Sequence, residues 1–219
     1  NQARLAKPDE VYTDTGGRNW NLTWTSYLTN DLSMKLMYGE NERENFNRAL
    51  SDIECNHVTA SSAIEQPDVP LGCTTSTAVE SRNDERKAAR ADFEWTLFDE
   101  HLLRFGLDHE QNTSDYSRHY PGPGAIYYNV YAGDAGDTID NGGVIPPGYQ
   151  GYVRARRYEI AGNFETINSA YYLEDNWQVT PNLLLNVGLR MDAFDNKDSA
   201  GRSYIKMDDM LAPRFGFSW

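Results

Sequence analysis

The sequence predicts an all-β chain: an antiparallel segment of a transmembrane β-barrel wall, about seven strands of a larger barrel, with short turns at one end and long loops at the other. Three observations predict it. Apolar and polar residues alternate over stretches whose polar side carries charge. The connections are alternately very short and very long. Tyr contributes 14 residues and Trp five, yet mean hydropathy is only -0.69, which suits strands that meet lipid at every second residue.

The first strand is read from about Trp20 to Leu28, with Trp20, Leu22 and Trp24 opposite Asn21, Thr23 and Thr25. After the turn Thr29-Asn30-Asp31, Leu32, Met34, Leu36 and Tyr38 continue the apolar face in a hairpin. Trp20, Trp24 and Tyr38 are candidate interface anchors, because their rings prefer the headgroup level. A long polar loop is expected over about 41–89, with a short helix over the charged run Asn83 to Arg90. The second hairpin sets Ala91, Phe93, Trp95 and Leu97 against Asp92, Glu94 and Thr96. It turns at Asp99-Glu100-His101 and sets Leu103, Phe105 and Leu107 against Arg104, Gly106, Asp108 and Glu110. Charges at alternate positions are costly if both faces are dry, whereas a wet or plugged lumen accommodates them.

A second loop, about 112–167, is rich in Gly, Pro, Asp and Tyr. Tyr120, Tyr127, Tyr128 and Tyr131 are its candidate ligand contacts, since Tyr supplies contact area at low entropy cost; packing of loop against loop is the alternative. Arg154 and Arg156 fall on one side at alternate spacing and are candidates for an anionic ligand or outer-leaflet phosphate, with pairing to acidic loops as the bland reading. The third hairpin joins Tyr171, Leu173, Trp177 and Val179 through Thr180-Pro181-Asn182 to Leu183, Leu185, Val187, Leu189 and Met191, which oppose Asn186, Gly188, Arg190 and Asp192. A third loop at about 195–210 leads to a last strand with Leu211, Pro213, Phe215, Phe217 and Trp219 opposite Ala212, Arg214, Gly216 and Ser218. Glu94, Arg104, Arg190, Asp192 and Arg214 are therefore the candidate lumen-facing residues. A soluble secreted β-sandwich, serving as a glycan-binding or adhesion module, alternates in the same way. It differs in having no use for long structureless connections.

Composition removes other classes. No run approaches the roughly 20 apolar residues of a spanning helix. A formal charge of -13 argues against nucleic acid as a partner. The four histidines are scattered, no nucleophile sits in an elbow, and no glycine loop precedes a helix, so no catalytic residue and no cofactor is expected. Asp134, Asp137 and Asp140 spell no calcium loop. Asn196 to Met207 has a sixth-position Gly but lacks the bidentate Glu, so no metal site is expected.

The two cysteines, Cys55 and Cys73, lie in one polar loop of a chain read as extracytoplasmic, which points to a disulfide. A zinc site using Cys55, His57 and Cys73 lacks paired spacing. Asn1 to Glu10 carries no signal-peptide pattern and Trp219 closes an apolar pattern, so the chain is expected to be a piece of a longer polypeptide.

The run Ala170-Tyr-Tyr-Leu-Glu-Asp-Asn-Trp-Gln-Val-Thr-Pro-Asn-Leu-Leu-Leu-Asn-Val-Gly-Leu-Arg190 resembles the barrel hairpin of TonB-dependent outer-membrane receptors, with an aromatic-x-x-Asp-x-Trp strand, a short turn and a Leu-x-x-Gly-Leu-Arg strand. The following Phe194-Asp195-Asn196-Lys197, Ile205-Lys206-Met207-Asp208-Asp209 and Ala212-Pro213-Arg214-Phe215-Gly216-Phe217-Ser218-Trp219 resemble its Oar-like subgroup. The resemblance implies a barrel of about 22 strands with a plugged lumen in the outer membrane of a Gram-negative bacterium. It also implies capture of a small ligand by external loops and import driven by the TonB complex. Signal peptide, plug domain and remaining strands would lie outside this chain, and outer-membrane lipid and lipopolysaccharide would surround it. A passive porin shares the wall without plug or TonB.

Overall fold

Period-two alternation rich in β-branched and aromatic residues becomes strand wherever an adjacent strand matches its register. The computed structural model of the protein describes residues 10–50, 54–60, 73 and 77–219. Its strands are β1 (Val11–Gly16), β2 (Asn19–Tyr27), β3 (Leu32–Ala49), β4 (Val58–Ala60), β5 (Val79–Leu97), β6 (His101–His119), β7 (Ile126–Ala132), β8 (Gly151–Arg157), β9 (Glu159–Thr180), β10 (Leu183–Lys197) and β11 (Ser203–Ser218). An eight-stranded sheet runs β1-β3-β5-β6-β9-β10-β11, with β2 also on β3, and a three-stranded sheet runs β4-β7-β8. Among the described residues no helix is long and apolar enough to cross a membrane, which leaves crossing by strands untouched.

The hairpins expected from the sequence are present, but the strands outrun them. Residues 41–49 and 79–89 belong to β3 and β5, so the expected helix at 83–90 is strand. Residues 112–119 and 159–167 belong to β6 and β9, and 126–132 and 151–157 form β7 and β8. The third connection shrinks from 195–210 to the five residues between Lys197 and Ser203. For 41–49, 79–89 and 112–119 the physical reason is that both faces are largely polar, so these stretches pair through backbone without apolar alternation to announce them. The expected seven strands become eight in the main sheet, because β1 and β2 both pair with β3 and share one position.

The chain divides into two compact units. The first holds 1–15, 45–82 and 116–161; the second holds 16–44, 83–115 and 162–219. In the second, three-strand rungs repeat along the apolar face: Trp177, Leu185 and Phe217; Asp175, Val187 and Phe215; Leu173, Leu189 and Pro213; Tyr171, Met191 and Leu211. Phe93 stacks on Phe105 at 5.1 Å, and Trp20 tilts against Tyr38 at 5.5 Å. This face is uncovered, with Leu22, Trp24, Leu173, Val187, Phe215 and Phe217 all exposed. The buried apolar residues among those described are Ala49, Ala125, Ile145 and Ala170, too few and too small to be the core of a sandwich.

Candidate functional site

The polar face of the second unit carries a charged network built across strands. Arg104 Nε donates to Glu94 Oε2 at 2.9 Å, and its Nη1 lies 4.0 Å from Glu174. Arg190 grips both oxygens of Asp192, and Arg90 Nε does the same to Asp92 at 2.8 and 2.9 Å. The Tyr172 hydroxyl donates to Asp92. Gly106 makes room for this ring, because a Cβ there would stand 2.8 Å from the Tyr172 ring and 2.4 Å from the Ala91 carbonyl. Gly188 sits in register between Glu174 on β9 and Arg214 on β11, leaving no side chain between them. The result is a recess of about 310 Å³ lined by Arg90, Arg104, Tyr172, Glu174, Arg190 and Arg214. The five candidates Glu94, Arg104, Arg190, Asp192 and Arg214 all lie on this face at alternate positions of their strands.

A titratable pair near the β5–β6 turn lies on the opposite, apolar face. His101 Nδ1 is 2.7 Å from Asp175 Oδ2, and its ring stacks on Trp177 at 5.2 Å. Ionisable groups are costly beside hydrocarbon unless paired. Here the imidazole is the partner and Trp177 covers it.

The first unit contains the small sheet. β4 pairs parallel with β7, and β7 pairs antiparallel with β8. Their register stacks side chains in rungs on one face: Tyr127 beside Arg156, Asn129 beside Arg154 and Thr59, Tyr131 beside Tyr152. His57, two residues before Thr59, continues the β4 side of that face, and its ring centroid is 6.3 Å from that of Tyr127. Tyr120 packs on Tyr127 at 4.8 Å and on Tyr158 at 5.2 Å, and Tyr131 stacks on Tyr152 at 5.0 Å. Of the sequence candidates, Tyr120, Tyr127, Tyr131, Arg154 and Arg156 come together. Tyr128 does not, because strand alternation turns it to the other face, opposite Ala155.

The small sheet is tied at its corner. Cys55 and Cys73 form a disulfide, and His57 bridges to Cys73 beside it. Asn56 Nδ2 donates to the carbonyls of Pro123 at 3.0 Å and Ile126 at 2.6 Å. Gly122 adopts φ 84°, and a Cβ there would lie 2.4 Å from the Asn56 nitrogen, so only glycine lets the two segments touch. The neighbouring Arg156 guanidinium donates to the Tyr127 phenol at 3.5 Å and holds its pKa below the usual range for tyrosine. Among the described residues no group of three or more His, Cys, Asp or Glu side chains is arranged to hold a metal ion.

Residues 3–201 match the family of outer membrane beta barrel domains. The chain belongs to that family. An outer membrane beta barrel domain sits in the outer membrane of a Gram-negative bacterium, and its apolar band meets lipid. This replaces the soluble sandwich and accounts for the uncovered apolar face. No curated protein matches the chain. Among solved structures, the siderophore receptor PiuA from Acinetobacter baumannii is similar at 12% identity and a TM-score of 0.44, over 95% of this chain and 29% of that one. The chain thus spans less than a third of that receptor, and a likeness at this score carries no argument.

Sequence reasoning placed Tyr152 among the loop tyrosines but missed His57, Thr59 and Asn129 as members of this face. A signal for β7 and β8 was available in Ile126-Tyr-Tyr-Asn-Val-Tyr131 and Tyr152-Val153, β-branched and aromatic runs bounded by Gly and Pro. No signal in the sequence gives the register that aligns them with β4.

Proposed function

We propose that this outer membrane beta barrel domain is part of a TonB-dependent receptor of the Oar-like type. In this reading its external sheet captures a scarce small ligand, and the whole protein imports it with energy transmitted by the TonB complex. The supporting observation is the ordered external face: two long connections fold into one sheet, tied at β4 by the Cys55–Cys73 disulfide, that presents Tyr127, Tyr131, Arg154 and Arg156 together. A passive pore gains nothing from such a face. Glu94, Arg104, Arg190, Asp192 and Arg214 line the lumen, where the recess beside Gly188 receives a plug or a passing ligand. TonB is contacted through a plug region, lipopolysaccharide and phospholipid surround the apolar band, and the chain acts by binding, without catalysis.

Two measurements on the full polypeptide test this. In proteoliposomes the receptor passes no arabinose in a swelling assay, because a plug closes it; free swelling would return the porin reading. In cells, site-directed cross-linking captures TonB, and absence of any TonB adduct across the periplasmic surface would overturn energised import.

A further inference from the structure

The external face has the composition of an acid-binding surface. Its guanidiniums are only loosely engaged. Among the described residues Arg156 has the Tyr127 phenol at 3.5 Å as its hydrogen-bond partner, and Arg154 has Asp140 at 3.4 Å, a carboxylate that is itself 77% exposed. Exposed pairs of this kind contribute little, so a better acceptor displaces them. Arg118 adds a third cation to the same unit, 5.8 Å over the Tyr158 ring and 3.7 Å from Glu80. In a chain of formal charge -13, Arg154 and Arg156 on adjacent rungs of one face give an anion a local point of attraction.

A second observation is independent of charge. His57 is 9% exposed, and among the described residues its buried Nδ1 has no hydrogen-bond partner. A buried polar atom left unmet is costly and calls for a partner of some kind.

We propose that the rungs Tyr127–Arg156 and Asn129–Arg154 bind a small acidic ligand carrying a phosphate or paired carboxylates beside a planar ring. Arginines two apart on a strand stand roughly 7 Å from one another, so one spans a phosphate while the next holds a second acid group. The Tyr120–Tyr127 and Tyr131–Tyr152 pairs offer ring faces on either side of the arginines. The Arg156 guanidinium that lowers the Tyr127 pKa already stabilises negative charge at this point. His57 closes the near end of the face, where its ring lies against that of Tyr127. Arg157 lies on the opposite face, engaged by Glu159, and takes no part.

The inference rests on external capture but not on TonB, so the two fail separately. The full polypeptide, purified in detergent, is dialysed to equilibrium against 4-methylumbelliferyl phosphate and, in parallel, 4-methylumbelliferyl glucoside. The two probes share a ring and differ in charge. The phosphate ester binds at least tenfold more tightly. The Arg154→Gln/Arg156→Gln double variant loses that preference, and Arg157→Gln keeps it. Equal binding of the two probes by the unmodified protein, no binding of the phosphate, or an unchanged preference in the double variant would each overturn the proposal. Added lipopolysaccharide leaves the bound ester in place; displacement would assign the face to membrane phosphate instead and also overturn it. Phosphate preference without TonB adducts breaks only the transport reading.

Discussion

The two units solve the same problem, pairing strands without a protein core, by opposite means. In the second unit β9, β10 and β11 carry mostly apolar side chains at every second position, the rungs from Tyr171 to Trp177 repeat across three strands, and lipid completes the structure. The first unit stabilises a small sheet with a disulfide, an asparagine that donates to two carbonyls, tyrosine pairs and the fully buried Pro121. The contrast teaches that the wall is tolerant of what its polar residues are but strict about where they point, whereas the small sheet depends on particular residues.

The sharpest way to break this contrast is to violate the wall's alternation. Val187→Arg places a guanidinium on the lipid face between Asp175 and Phe215, and it is expected to destabilise the bilayer-inserted protein by about 2–4 kcal/mol. Asn186→Arg, one residue earlier and on the polar face, should cost far less. Denaturant titration in phospholipid vesicles compares the two, and equal losses would mean that the faces are misassigned.

Next comes the disulfide. Cys55→Ser with Cys73→Ser removes a crosslink that constrains an 18-residue separation, an effect of about 3 kcal/mol in the loop-entropy account. The loss should be local. Limited proteolysis should cleave β4, β7 and β8 sooner while β9, β10 and β11 keep their protection, and simultaneous loss of both would show that the two units are one cooperative block.

Gly106→Ala tests how closely the polar face of the wall is packed. The added methyl meets the Ala91 carbonyl and the Tyr172 ring, so either the backbone or the ring must move, at about 1–3 kcal/mol. Unchanged stability with an intact Tyr172–Asp92 bond would show that the recess is looser than described.

The smallest effect concerns the β10–β11 turn. The Arg202 backbone N–H, then its guanidinium, hold the Asp198 carboxyl below the usual carboxylate range. A depressed folded pKa contributes stability that is fully present above the unfolded value, about 3.9, and is lost as pH falls through the folded value. Protection of the Ala200 and Arg202 amides, taken relative to the intrinsic exchange rate at each pH, should therefore fall on acidification below about pH 4, and in Asp198→Asn that protection should hardly vary with pH.

What was legible in the sequence follows the same division. Leu183 to Asp192 and Leu211 to Trp219 advertise their faces because hydrocarbon requires it, and the strands were found where alternation is strict. Asn83 to Arg90 and Asn41 to Ala49 carry charge on both sides, so nothing local separates strand from loop, yet both are strand. Tyr120, Tyr127, Tyr131, Arg154 and Arg156 were recognisable as contact-making types. Their assembly depends on the pairing of β4 with β7 across roughly 70 residues of sequence, such as Thr59 with Asn129, and no composition or period encodes a register of that range.

The disulfide carries a further consequence, for how the protein is made. Oxidation occurs in the periplasm, while long barrel loops end up on the outer side of the membrane. The Cys55–Cys73 bond therefore closes only after the chain has left the reducing cytoplasm. A cell unable to oxidise exported thiols would make the same wall strands with the small sheet unfastened.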